Sequence, residues 1–110
     1  MSLDAGALAK QMLAAALPIL KTHALDTESY ASVEFKKIAD TIVSIEEMQA
    51  TGQINHDQAQ LLFDMQKNSS RSVLLTIKGL ALLAAEEAIN AALDVVKVAV
   101  NAAVKFPMIP

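Results

Sequence analysis

The sequence contains no cysteine, no tryptophan, three glycines, three prolines, three phenylalanines and one tyrosine in 110 residues. Without cysteine there is no disulfide framework, no thiolate nucleophile and no cysteine-ligated zinc or iron–sulfur centre. Excess positive charge is also lacking. Nine Lys and Arg stand against twelve Asp and Glu, giving a net charge of −3 and an isoelectric point near 5.2. Such a balance provides no basic field for a polyphosphate, so nucleic acid is not an expected partner. Lys36-Lys37 and Lys67 with Arg71 are interleaved with acids or too few to change that.

Long hydrophobic runs are missing as well. The longest uncharged apolar stretches lie between Lys10 and Lys21 and between Lys78 and Glu86, too short to cross a bilayer, which takes roughly 18 or more residues. Met12 to Leu20 (MLAAALPIL), followed by Thr22-His23-Ala24, loosely imitates a secretion signal. Asp4 spoils the basic beginning that such a signal needs. A cytoplasmic location is therefore expected, with export left open, since absence of cysteine suits either compartment.

What the chain does have is aliphatic bulk. Hydrophobic residues make up 54% of it, only 4% of it is aromatic, and 20 residues are alanine. Alanine is the strongest helix former and is depleted in strands, so the composition implies an all-α fold. A mean hydropathy of +0.37 is high for a soluble monomer of this length and implies apolar surface left over for a partner or a bilayer.

Periodicity divides the chain, read as one helical domain over residues 1–110, into helices. Residues 3–25 read as helical, with Leu8, Met12, Ala15 and Ile19 on one face and a kink or split expected at Pro18. Asp26 or Thr27 is placed to cap a helix over 27–51, with Glu28 in its first turn. Ala31, Phe35, Ile38, Ile42 and Ile45 form its apolar stripe, and Glu34, Lys37, Asp40, Thr41, Ser44 and Glu47 cover the other side. Gly52 suits the left-handed position that ends such a helix. Asn55 and Gln58 then spell a capping box, with Ile54 as the staple residue before it, so the second and third helices form an αα-hairpin. From Asn55 to Lys105 no proline interrupts the pattern. The expectation is a continuous helix over 55–105, the alternative a break near 68–79. The result is an αα-hairpin with a long C-terminal helix, in a three- or four-helix bundle completed by oligomerisation.

The last third decides the functional expectation. Glu87, Asn90, Asp94, Lys97, Asn101 and Lys105 fall on a single polar stripe about 80° wide. Ile89, Leu93, Val96, Val100 and Val104 make a bulky face, and Ala88, Ala91, Ala92, Ala99, Ala102 and Ala103 a smooth one. A helix with so narrow a wetted stripe must be covered on two sides. We therefore expect self-association through Ile89, Ala92, Leu93, Val96, Ala99, Val100 and Ala103, and expect Ala92→Glu or Ala99→Glu to dissociate the assembly. The apolar tail, residues 106–110, carries two prolines that stop the helix; it either folds back or docks on a neighbour.

Candidate chemistry is sparse. His23 and His56, the two histidines, lack both a glutamate three residues before and a second histidine four away, so the dimetal pattern of helical bundles is absent. Adjacent carboxylates at Glu46-Glu47 and Glu86-Glu87 diverge by about 100° on a helix and do not converge on one site. Glu86, set among Leu82, Ile89 and Leu93, reads as an ion-pair or hydrogen-bond partner of Lys78, Asn90 or a neighbouring subunit, or as a burial-driven switch. Ser69, Ser70 and Ser72 beside Arg71 have no glycine-rich loop or catalytic base. Methionines such as Met48 and Met65 read as gap-fillers. No catalytic, cofactor or metal residue is assigned, and no enzymatic activity is expected. The expected function is a structural or protein-interaction module that forms a homo-oligomer or binds a protein partner. A membrane-active amphipathic protein is the alternative, and a small-ligand binder or enzyme comes third.

Overall fold

The computed structural model describes residues 3–23, 27–76 and 80–110, with the side chains of residues 22, 23, 27 and 28 outside the description. The described residues form four helices: α1 (Ala5–His23), α2 (Thr27–Ala50), α3 (His56–Leu74) and α4 (Leu82–Val104). They pack into a helical bundle measuring 43 × 22 × 20 Å. The long third helix expected over 55–105 is not formed. At about 1.5 Å per residue it would reach about 75 Å, beyond the length of the bundle. Instead α3 closes at Leu75, whose N–H donates to the Arg71 carbonyl at 3.0 Å. Thr76 tightens the exit, its N–H and hydroxyl both donating to the Val73 carbonyl, at 3.0 and 2.6 Å. The Asn68-Ser69-Ser70 cluster, an alternative breakpoint, lies within α3. Buried Ser70 there accepts a hydrogen bond from the Gln66 amide at 3.1 Å.

Local chemistry explains the other boundaries. Asp4 caps α1, its Oδ1 accepting from Gly6 N–H at 2.9 Å and Ala7 N–H at 3.5 Å. Of the expected caps of α2, Asp26 lies outside the described residues, and so does the side chain of Thr27. At the far end of α2, Gly52 adopts φ +75°. Its N–H reaches the Gln49 carbonyl and that of Gln53 the Met48 carbonyl, the paired bonds of a Schellman motif. The capping box follows, Gln58 N–H to Asn55 Oδ1 at 2.8 Å and Asn55 N–H to Gln58 Oε1 at 2.9 Å. Helix α1 runs through Pro18 without ending. Pro18 and Ala14, the residue whose carbonyl loses its intrahelical donor, are both exposed, so water can satisfy that carbonyl.

In the core, α1 packs chiefly on α4 and α2, and α2 packs on α3. The buried row of α1 is Leu8, Met12, Ala16 and Leu20; Ala15 and Ile19, expected there, are half-buried. Fourfold spacing is one of the natural ridges of a helix surface and so suits helix-on-helix packing. The α2 stripe of Ala31, Phe35, Ile38, Ile42 and Ile45 is fully buried, as its spacing implied. Glu34, expected among the outward polar residues, is buried as well, at 2% exposure. Its Oε2 pairs with Lys37 Nζ at 3.1 Å, and its Oε1 has no hydrogen-bond partner among the described residues. Thr41 donates to Gln66 at 3.4 Å, placing this flank of α2 against α3.

The α3–α4 side is packed less extensively and is closed by polar links. Arg71 Nη1 lies 3.3 Å from Glu86 Oε1. Lys105 ends α4 in the left-handed conformation, φ 62°, which costs a non-glycine residue roughly 1–2 kcal/mol. It turns the tail back over the bundle. Met108 and Ile109 are buried, Asn101 holds both the N–H and the carbonyl of Ile109 at 2.9 and 2.8 Å, and the Gln60 amide donates to the Met108 carbonyl at 3.2 Å. The tail thus docks within its own chain.

Candidate interaction surface

Helix α4 carries apolar residues on more than one face, and the bundle covers only part of them. Of the seven residues expected to meet a partner, Ile89, Ala92, Leu93, Val96 and Val100 are buried among the chain's own helices. Ala103 is half-buried and Ala99 exposed. The reason is geometric: Ile89, Leu93, Val96 and Val100 lie on the side of α4 that meets the rest of the bundle, chiefly α1, and Ala85, Ala88 and Ala92 beside them suit close approach. Ala92→Glu is thereby a test of the core and not of an interface, whereas Ala99→Glu remains a test of the surface.

The uncovered apolar residues are different ones: Leu82 and Leu83 in the first turn, both more than half exposed, and a row further along the helix. Val98 is 83% exposed and Val95 51%; Ala102 is exposed and Ala91 half-buried. At about 100° per residue these four fall within about 60° of one another. Ala91, Val95, Val98 and Ala102 follow 4-3-4 spacing, the repeat by which a helix presents a seam to another helix. That repeat stands in the sequence, but the neighbouring bulky row shows equally regular spacing, so periodicity alone does not say which row is covered. Glu87, Asp94 and Lys105 line one flank of the seam and are exposed; Ala99 lies on the other. Neither Glu87 nor Lys105 has an ion-pair partner among the described residues.

The rest of the surface offers less. A cleft of about 950 Å³ opens at one end of the bundle, between the end of α2, the start of α3 and the end of α4, with Glu46, Glu47, His56, Asp57 and Lys105 in its wall. Glu46 is committed to structure, accepting the Leu3 N–H at 2.8 Å. His56 stacks on Phe106, ring centroids 4.4 Å apart. Among the described residues no group of three His, Asp or Glu side chains is placed to hold a metal ion. A smaller cleft of about 170 Å³ lies between Lys67, Arg71, Glu86 and Asn90, where Glu86 already engages Arg71 at 3.3 Å in a pair some 40% exposed on each side. No described helix is long and apolar enough to cross a membrane. Comparison with known proteins finds no match, whether among family models, curated proteins or solved structures.

Proposed function

We propose that the chain is a non-enzymatic interaction module that self-associates through the outward face of α4. The observation that carries this reading is the uncovered seam of Ala91, Val95, Val98 and Ala102, with two valines more than half exposed on a helix whose row of Ile89, Leu93, Val96 and Val100 is already buried. Leaving such side chains in water forgoes the burial free energy that a second helix would supply, about 25 cal/mol for each Å² removed from water. A seam of one helix face belongs with the weak and transient class of interfaces.

Light scattering behind a sizing column is the direct test. The weight-average mass of the 11.7 kDa chain should rise with loading concentration between about 10 µM and about 1 mM. A mass that stays at one chain across that range would end the reading.

A further inference from the structure

The flanking charges specify how two copies meet. We infer that the partner of the α4 seam is a second copy of this chain lying antiparallel across a two-fold axis, with Glu87 of each copy paired to Lys105 of the other. The inference rests on the self-association reading above and adds an orientation to it.

The seam and its charges are arranged symmetrically along α4. Ala91 with Ala102, and Val95 with Val98, are placed symmetrically about the point between Val96 and Lys97. Glu87 and Lys105 lie nine residues either side of Val96, so the charged pair and the apolar pairs share a centre to within about 1 Å along the helix. A two-fold axis perpendicular to α4 at that point sets Val95 against Val98 and Ala91 against Ala102, and interdigitates the four valines. The same operation brings the flank carrying Glu87 beside that flank of the other copy, reversed in direction. Each Glu87 then meets a Lys105 at both ends of the seam, about 27 Å apart. Unlike charges facing at both ends give an interface its register and direction.

A parallel arrangement does neither. Its two-fold axis runs along the helices, so the charged flank of one copy faces the alanine flank, with Ala99, of the other. Glu87 and Lys105 would remain unpaired, as they are in the single chain. Asp94 lies on the same flank, so the antiparallel arrangement sets the two Asp94 about 7.5 Å apart along the helices near the axis, with Lys97 three residues on in each copy as the nearest cation along α4. Both Glu87 and Lys105 are exposed, so exchanging their charges leaves the core untouched.

The test is a charge exchange read by sedimentation or light scattering at low ionic strength, where exposed pairs are least screened. Glu87→Lys alone and Lys105→Glu alone each place like charges together in the antiparallel dimer and should weaken association about 5-fold to 10-fold. The double variant Glu87→Lys with Lys105→Glu restores unlike pairs and should return to within about twofold of the original affinity. A double variant whose loss equals the sum of the two single losses overturns the antiparallel pairing, while concentration-dependent mass in the unaltered chain would keep the self-association reading intact. An unaltered chain that never associates overturns both. Because the chain has no cysteine, a second readout is clean. Mixed Ala91→Cys and Ala102→Cys chains should form a disulfide with each other, since seam positions facing across the axis approach within bridging distance. Disulfides confined to Ala91→Cys with itself or Ala102→Cys with itself would establish the parallel arrangement and overturn the proposal.

Discussion

Two rows of the same helix make the instructive contrast. The inner row of α4, with Ile89, Leu93, Val96 and Val100, is sealed against the bundle, while the outer row, Ala91, Val95, Val98 and Ala102, keeps its valines in water. The inner row is the bulkier, but both rows are wholly aliphatic. What separates them is neighbours: α1, with a smaller share from α2 and α3, covers the inner row, whereas Val95 and Val98 stay more than half exposed. An apolar residue on a helix is therefore a core residue or an interface residue by virtue of what the rest of the chain brings to it, and the free energy of its burial is already realised in the first case and still available in the second.

The contrast is broken most severely by placing a charge on the inner row. Ala92 is fully buried, and Ala92→Glu forces a carboxylate into a space that holds a methyl group. The expected loss of folding stability exceeds about 3 kcal/mol, seen as a fall in the midpoint of urea denaturation or as outright failure to fold. A variant that keeps its denaturation midpoint would show that the inner row is not sealed. A smaller effect is expected on the third side of α4, where the tail docks. Met108→Ala removes a fully buried side chain from the tail, whose backbone is held by Gln60 at Met108 and by Asn101 at Ile109, and should cost about 2 kcal/mol, the low end of such truncations, because a chain end relaxes more readily than a helix. A midpoint within error of the parent would place the tail outside the cooperative core.

How much of this was legible in the residues depends on the range of the forces involved. Gly52 and the Asn55–Gln58 capping box act over three or four residues, and the structure reproduces them bond for bond. The α2 stripe is also local, because one sharply contrasted apolar row leaves a single way to face the core. The end of α3 at Leu74 falls within the alternative break near 68–79, which the spacing does not favour, since it continues from Leu62 and Met65 into Val73 and Leu74; the break suits the length of the bundle, a property of the whole chain. Glu34 was misjudged for a related reason. Its place on the wheel borders the apolar stripe, and only the arrival of α3 on that flank, marked by the Thr41–Gln66 bond, buries it. Asp4, which caps α1 through Gly6 and Ala7, is a standard residue for that role and is legible in the sequence. The identity of the uncovered row on α4 needed the position of α1, which no local pattern encodes.

The finest test of the contrast is a substitution with opposite effects on its two halves. Val98 projects into water in the single chain, where its branched side chain is restricted on a helix and makes little packing in return. Alanine is the better helix former by about 0.5 kcal/mol, so Val98→Ala should raise the folding stability of the dilute monomer by roughly that amount. In the associated state the same change deletes apolar area from the centre of the seam and should weaken self-association. Urea denaturation at low micromolar concentration reads the first effect, and the concentration dependence of the mass reads the second. If Val98 belonged to the core, both would fall together, with folding stability dropping by the 1 kcal/mol or more that removing buried methyl groups costs. Opposite signs in one variant would mark the outer row as a surface that the monomer does not need and the assembly does.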